Sequence, residues 1–318
     1  MKFDNFLPYG YVEKKQCRRE RWNSSEQPVI YNENGKKMKV YYLQDQMCAQ
    51  VPYTLVWGRY PKEIFWDRFN KGLAIHFYTH ENIYHTLETG KKKYGIFRES
   101  EAIVPQDYAK ALRETRSIKQ LDKLFTCSAR LLDRYDNAVF APANGVWYGT
   151  RENGGEMRED LYKYKCRNIS MVCSDKALCE AQKYRIAVAR QCMNSKNVDV
   201  YGKISGDYLE HKGDALTDYR YSIAIENDKT PYYFTEKILD CFASMTVPIY
   251  WGATEIDKFF NTDGIIKLSG NNPEEIDKVI KECTEQNYID RLDAIKDNFK
   301  KVHEFLCIED YISDHYEI

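Results

Sequence analysis

The stretch that most restricts what this chain can fold into is 219–252, YRYSIAIENDKTPYYFTEKILDCFASMTVPIYWG. Two short apolar runs, 221–225 and 247–251, read as strands. The segment between them, 236–245, places Ile238, Leu239 and Phe242 on one helical face behind Thr235, a residue suited to cap a helix. Pro248 falls at a strand start, where its missing N–H is tolerated. Strand, helix and strand in this order form one βαβ unit.

The same alternation recurs elsewhere. Residues 39–43, 73–78 and 94–97 read as strands and 108–123 as a helix. Further on, 169–173 (strand), 177–193 (helix) and 198–201 (strand) form another βαβ candidate. The remainder from 273 to 318 is helical in pattern. At 318 residues the chain exceeds the size of one usual core. Its polar, glycine-bearing break at 149–156 suits a linker. The expected division is an N-terminal domain over 1–150, a second domain over 157–290 and a helical tail over 291–318. Two α/β domains alone fit either a nucleotide-sugar enzyme or a binding protein that closes on a small ligand.

Composition narrows this choice. A formal net charge of −1 gives no support to nucleic-acid binding. No stretch approaches the roughly 18 consecutive apolar residues of a membrane span. The ten cysteines show neither a CxxC pair nor a Cys/His metal spacing. The expectation is a soluble, reduced cytoplasmic protein, free or peripheral at a membrane, with cysteines as small core residues. Twenty-six tyrosines suit carbohydrate faces and half-buried surfaces equally.

In an open α/β sheet the ligand crevice lies beyond the carboxyl ends of the strands, which here selects the loop 226–234 and the helical turn after it. Free N–H groups at a helix start capped by Thr235 attract an anion such as a diphosphate. Lys237 adds a full charge, and Glu236 can accept hydrogen bonds from a ribose diol. The order Glu226-Asn227, a short proline-containing loop, Tyr233-Phe234-Thr235-Glu236-Lys237-Ile238-Leu239-Asp240, then Pro-Ile-Tyr-Trp-Gly, resembles the donor-site signature of the α1,3/α1,4-fucosyltransferases of glycosyltransferase family 10. The likeness is close over 219–266 and weaker back to about residue 94.

That resemblance implies a GT-B fold, two Rossmann-like domains facing a central cleft, and a GDP-sugar, GDP-fucose above all, as donor. It puts Asn227, Tyr233, Glu236 and Lys237 on the donor, with Glu236 at the ribose and Lys237 at a phosphate. Ser174-Asp175-Lys176 and Arg185 look like the family's other nucleotide-contacting block, with Arg190 or Lys183 as alternatives to Arg185. A guanidinium there would neutralise the leaving diphosphate.

An inverting transfer needs a carboxylate to take the acceptor hydroxyl proton. Glu99, at the carboxyl end of the strand 94–97, is the candidate, and its place in the Glu-Ser block resembles that of the family's catalytic glutamate; Glu101 is the neighbouring alternative. No Asp-x-Asp triplet occurs, so neither a metal nor a cofactor beyond the GDP-sugar is expected. His76 and His80 lie four apart on an expected strand, a span of roughly 13 Å that cannot share one ion. With His85, His211, His303 and His315 they are assigned surface or packing roles. The acceptor is a glycan, for which Trp57, Trp66, Tyr78 and His80 are candidate contacts. The other readings are a transferase for a different GDP-sugar, or a non-catalytic nucleotide or carbohydrate binder.

Overall fold

The structure, a computed structural model, describes residues 30–32, 34–45, 59–195, 197–270 and 272–318; Trp57 and the lead-in up to residue 29 lie outside them. The chain divides into two compact units. Unit 1 is built from Met1–Glu99, Pro105–Ala143 and Cys307–Ile318, and unit 2 from Ser100–Val104 and Asn144–Leu306. The break at 149–156 lies inside unit 2. There Gly149 donates to Gly154 O (2.8 Å) and Gly213 to Asn153 O (2.6 Å), so this polar stretch is a turn packed within the unit.

In unit 1 the strands are β1 (Lys39–Gln44), β2 (Ile64–Asp67), β3 (Ile75–Thr79), β4 (Lys92–Phe97), β5 (Lys123–Thr126) and β6 (Ala138–Phe140). They pair in parallel in the order β2-β1-β3-β4-β5-β6, which reverses at β1. An aromatic ladder crosses one face of this sheet, from Trp66 through Tyr41, Phe77 and Tyr94 to Phe125, with neighbouring ring centroids 4.8–6.3 Å apart. These side chains are buried, so tyrosines that composition left open to a carbohydrate surface are core residues here, as are Trp66 and Tyr78.

The helices of unit 1 are α1 (Pro105–Arg113), α2 (Thr115–Lys119) and α3 (Ala129–Arg134). The single helix expected over 108–123 is therefore two helices and the start of β5. Glu114, at φ −93° and ψ 61°, leaves the helical region and breaks it. The last segment of the chain completes unit 1. Glu309 accepts from the Trp66 indole (2.8 Å), Asp310 accepts from the Lys62 backbone N–H (2.8 Å), and Tyr316 donates to Phe140 O (2.6 Å).

Unit 2 holds β7 (Arg167–Val172), β8 (Asp199–Tyr201), β9 (Tyr219–Ile225), β10 (Val247–Trp251) and β11 (Ile266–Lys267), parallel in the order β11-β10-β9-β7-β8. Its helices are α4 (Glu180–Ser195), α5 (Glu236–Ala243), α6 (Glu275–Glu282), α7 (Glu285–Asp290) and α8 (Leu292–Lys301); α9 (Ile308–His315) returns to unit 1. The expected alternation is present, whereas β2, β5, β6 and β11, only two to four residues long, escape periodicity analysis. Each sheet has its first strand between its second and third, the doubly wound α/β arrangement.

The described cysteines are free thiols, all buried except Cys166. Among the described residues, no helix is long and apolar enough to cross a membrane.

Gly202, directly after β8, has φ +101°, and a Cβ there would lie 2.5 Å from the Cys173 carbonyl oxygen, which is backbone and cannot swing away. Gly202→Ala should therefore cost about 1–3 kcal/mol, the usual range for a strained backbone position. A urea unfolding curve should show a lower midpoint at unchanged slope.

Candidate functional site

In unit 2 the strand order reverses between β7 and β9, so their carboxyl ends diverge into loops on either side of a crevice. Every donor residue expected from the sequence lies on these loops or on the helices that follow them. From β9, Ile225 leads into Glu226, which is fully buried. Its carboxylate accepts from the Thr235 N–H (2.9 Å) and the Thr235 hydroxyl (2.7 Å), closing the loop 226–235 on itself. Glu226 thus shapes the turn from inside.

Thr235 caps α5 and accepts the Lys237 N–H at 3.4 Å. The Lys237 ammonium sits among Thr235 Oγ1 (3.0 Å), Glu236 Oε1 (3.2 Å) and Glu226 Oε2 (3.4 Å). Burial pushes the Glu226 carboxyl up, against the pull of Lys237. Burial also works to raise Glu236, but Lys237, Lys212 and hydrogen bonds from Lys237 and Thr235 outweigh it and bring this carboxyl down to about 2. Burial disfavours the charged lysine, and the two glutamates more than compensate, leaving Lys237 above its ordinary value. The turn accordingly presents an ionised Glu236 and a charged Lys237 at a helix start.

A second layer supports it. Glu236 Oε2 accepts from Asn144 Nδ2 (2.8 Å). One turn further along α5, Asp240 accepts the backbone N–H groups of Trp147 (2.7 Å) and Tyr148 (2.9 Å) and pairs with Lys212 (2.7 Å). Lys212 lies over the Trp147 ring, 5.1 Å from its centroid. Sequence reasoning missed Asn144, Lys212 and Asp240. The spacing of Glu236 and Asp240, two carboxylates on one helical face, was the available signal.

From the β7 side, α4 brings Arg185 to the end of β9, where its Nη1 donates to Ile225 O and Asn227 Oδ1, both at 3.2 Å. Gln182 also donates to Asn227 Oδ1 (3.4 Å). Arg185 is buried, whereas Arg190 is exposed and Lys183 is an exposed partner of Glu180. Ser174 is half-buried in the loop after β7, Lys176 is exposed, and Tyr233 is buried. Arg185 Nε and Trp251 Nε1 are buried donors with no acceptor among the described residues, an arrangement native proteins rarely leave unexplained.

A cavity of about 740 Å³ opens here, within the size range of small-ligand sites. Cys179, Asn227, Asp228, Lys229, Trp251 and Ser269 are among its walls. Lys229 lies 5.5 Å from the Trp251 ring centroid, and Asp228, raised by burial, accepts the Ala102 N–H at 3.1 Å. Of the cavity-lining residues, Asn227 was among the sequence candidates.

In unit 1, Glu99 follows β4 and is half-buried. Glu101 groups with unit 2, where its charge acts on Asp228. His76 is held by Tyr78 OH (2.8 Å) and Leu73 O (2.6 Å), and His80 begins the short 3-10 helix His80–His85, so the two rings have separate partners.

These two doubly wound parallel sheets make a GT-B fold, the class of the solved structures that match it. Solved structures agree. A crystal structure of an α1,3-fucosyltransferase matches with TM-score 0.52 at 18% identity, covering 88% of this chain and 90% of that one. The structure of an α1,3-fucosyltransferase with GDP-fucose matches with TM-score 0.51 at 17% identity, covering 84% and 88%. At such identities these matches establish the fold.

Within unit 2, residues 164–292 match the sequence model of glycosyltransferase family 10 (fucosyltransferase) C-term. The α-(1,3)-fucosyltransferase FucT of Helicobacter pylori is 34% identical over 90 residues, which are 27% of this chain and 19% of that relative's length.

Glu236 is ionised in the fold at a pH where an unfolded glutamate is not. Its stabilisation is complete above about pH 4.5 and is lost as the pH falls towards about 2. The gap in urea midpoint between the parent protein and Glu236→Gln should therefore narrow over that interval. A gap that stays constant with pH would contradict the ionised assignment.

Proposed function

We propose that this protein is an inverting glycosyltransferase that moves L-fucose from GDP-fucose to a hydroxyl of a glycan. The observation that carries this reading is the β9–α5 turn, where a capped helix start, the Lys237 ammonium and the ionised Glu236 meet at the topological switch point. Lys237 and the α5 N-terminus bind the diphosphate, and Glu236 accepts from the ribose. Arg185, with Nε still available, neutralises the departing phosphate, and Asn227 is fixed by Arg185 and Gln182 to face the nucleotide. Ser174, Lys176 and Tyr233 complete the donor contacts, while Glu226 holds the loop in shape.

Glu99 is the proposed base. As the sugar–phosphate bond breaks, the acceptor oxygen attacks from the opposite face and its proton passes to the Glu99 carboxylate. Positive charge on Lys237 and Arg185 stabilises the leaving GDP, so the reaction is proposed to run without a metal.

A thermal-shift panel of GDP, UDP, CMP and GDP-fucose tests the donor. Ligand at about 100 times its dissociation constant stabilises a fold by about 2.7 kcal/mol, so GDP and GDP-fucose should raise the melting temperature and UDP should not. A response to UDP alone would refute the reading.

Glu99→Gln should lower transfer by about 10²–10⁴-fold with GDP binding unchanged. Undiminished turnover would remove Glu99 from the mechanism. Transfer should also persist in EDTA; loss restored by Mn²⁺ or Mg²⁺ would show that a cation shares the work of Lys237 and Arg185.

A further inference from the structure

His80 is one of two non-glycine residues with positive φ among those described, at +49°. That conformation is strained for a residue carrying a Cβ, and such positions persist where surrounding structure over-determines them. Here the surroundings are specific. The ring is buried, with its edge against Phe97 at 5.2 Å between centroids. Its Nε2 faces two backbone donors, the N–H groups of Glu99 (3.3 Å) and Arg98 (3.4 Å). Its Nδ1 lies 3.1 Å from Asp107 Oδ2, an ion-pair distance bent away from a linear hydrogen bond.

Two N–H groups aimed at Nε2 require a lone pair there, which puts the ring proton on Nδ1 beside the Asp107 carboxylate. The next residue of α1 acts on the other side of the same peptide: Tyr108 OH donates to Glu99 O at 2.5 Å while its ring packs on Phe97 at 5.0 Å. The backbone of Glu99 is thus gripped at its N–H by His80 and at its C=O by Tyr108. Both grips trace to adjacent residues in the first turn of α1.

We propose that His80, oriented by Asp107, is a positioning residue that fixes the backbone of Glu99 and thereby aims its carboxylate, with Tyr108 as the opposing clamp. The proposal rests on Glu99 being the base. Its effect belongs to the chemical step, because neither His80 nor Tyr108 is placed on the donor. Misplacing a reacting group by about 1 Å can cost about 10²-fold in rate.

The test measures GDP release from GDP-fucose with an oligosaccharide panel for His80→Phe, His80→Asn, His80→Gln and Tyr108→Phe. Glutamine can return an acceptor to the position of Nε2, whereas asparagine reaches only the Asp107 side. His80→Phe and His80→Asn should lose about 10- to 100-fold in kcat, with the KM for GDP-fucose and GDP binding unchanged, and His80→Gln should recover most of the loss. Tyr108→Phe, which keeps the ring packing, should lower kcat in the same way. Glutamine performing no better than asparagine would overturn the proposal, as would full kcat in either His80→Phe or Tyr108→Phe. Should the histidine variants fail to fold, Tyr108→Phe alone decides.

The companion variant Glu99→Gln separates the two readings: if it still turns over, the base assignment fails. If it is inactive while His80→Phe and Tyr108→Phe are fully active, only the positioning role fails. The double variant Glu99→Gln/His80→Phe should be no slower than Glu99→Gln, since nothing remains to be aimed.

Discussion

Lys237 sits between two carboxyl groups where β9 gives way to α5, and the residues of unit 2 around that point keep the three groups together. Removing charges from water is costly, and such a group persists only when its hydrogen-bonding capacity is nearly filled. Here it is filled from several directions. Thr235 satisfies Glu226 with backbone and hydroxyl, Asn144 satisfies Glu236, and Lys212 adds a second cation that favours the ionised Glu236 over Glu226. Asp240 extends the same logic one turn down the helix by gathering the N–H groups of Trp147 and Tyr148. The closure of the loop 226–235 and the approach of Asn144 serve this group directly, while Asp240, with its own partner Lys212, ties 147–148 to the same helix.

How much of this could be read from the chain alone follows from how locally each feature is encoded. The β9–α5–β10 unit was legible because buried parallel strands show as short apolar runs and the intervening helix carries a clear cap. Strands such as β6 and β11 are too short to establish a period, and the helix expected through residue 123 is interrupted at Glu114 by a backbone turn with no strong sequence marker. In the site, residues supplied by one continuous loop, Glu226 to Lys237, were found together. Asn144 and Lys212 arrive from 92 and 28 positions away from their partners, and no spacing rule connects them. Glu226 illustrates a different limit. Its residue type was recognised, but only burial shows that its oxygens are turned inward on Thr235.

Unit 1 uses other means. Its core is built on the aromatic ladder across β2, β1, β3, β4 and β5, which supplies large apolar area with few rotatable bonds. The polar residues at the carboxyl ends of these strands stand on that stiff base. Glu99 is held there through its peptide group, whose N–H donates to His80 and whose C=O accepts from the Tyr108 hydroxyl.

The return of α9 to unit 1 has a consequence for biogenesis. A ribosome making this chain N-terminus first would release all of unit 2 before the residues that complete unit 1, because Glu309, Asp310 and Tyr316 lie beyond Leu306. Until then the Trp66 indole and the Lys62 amide lack their acceptors, and Phe125 and Phe140 lack their ring contacts with Tyr316 and Tyr311. The unit encoded first is therefore closed only after unit 2 has been made, so its folding waits on residues nearly two hundred positions further along the chain.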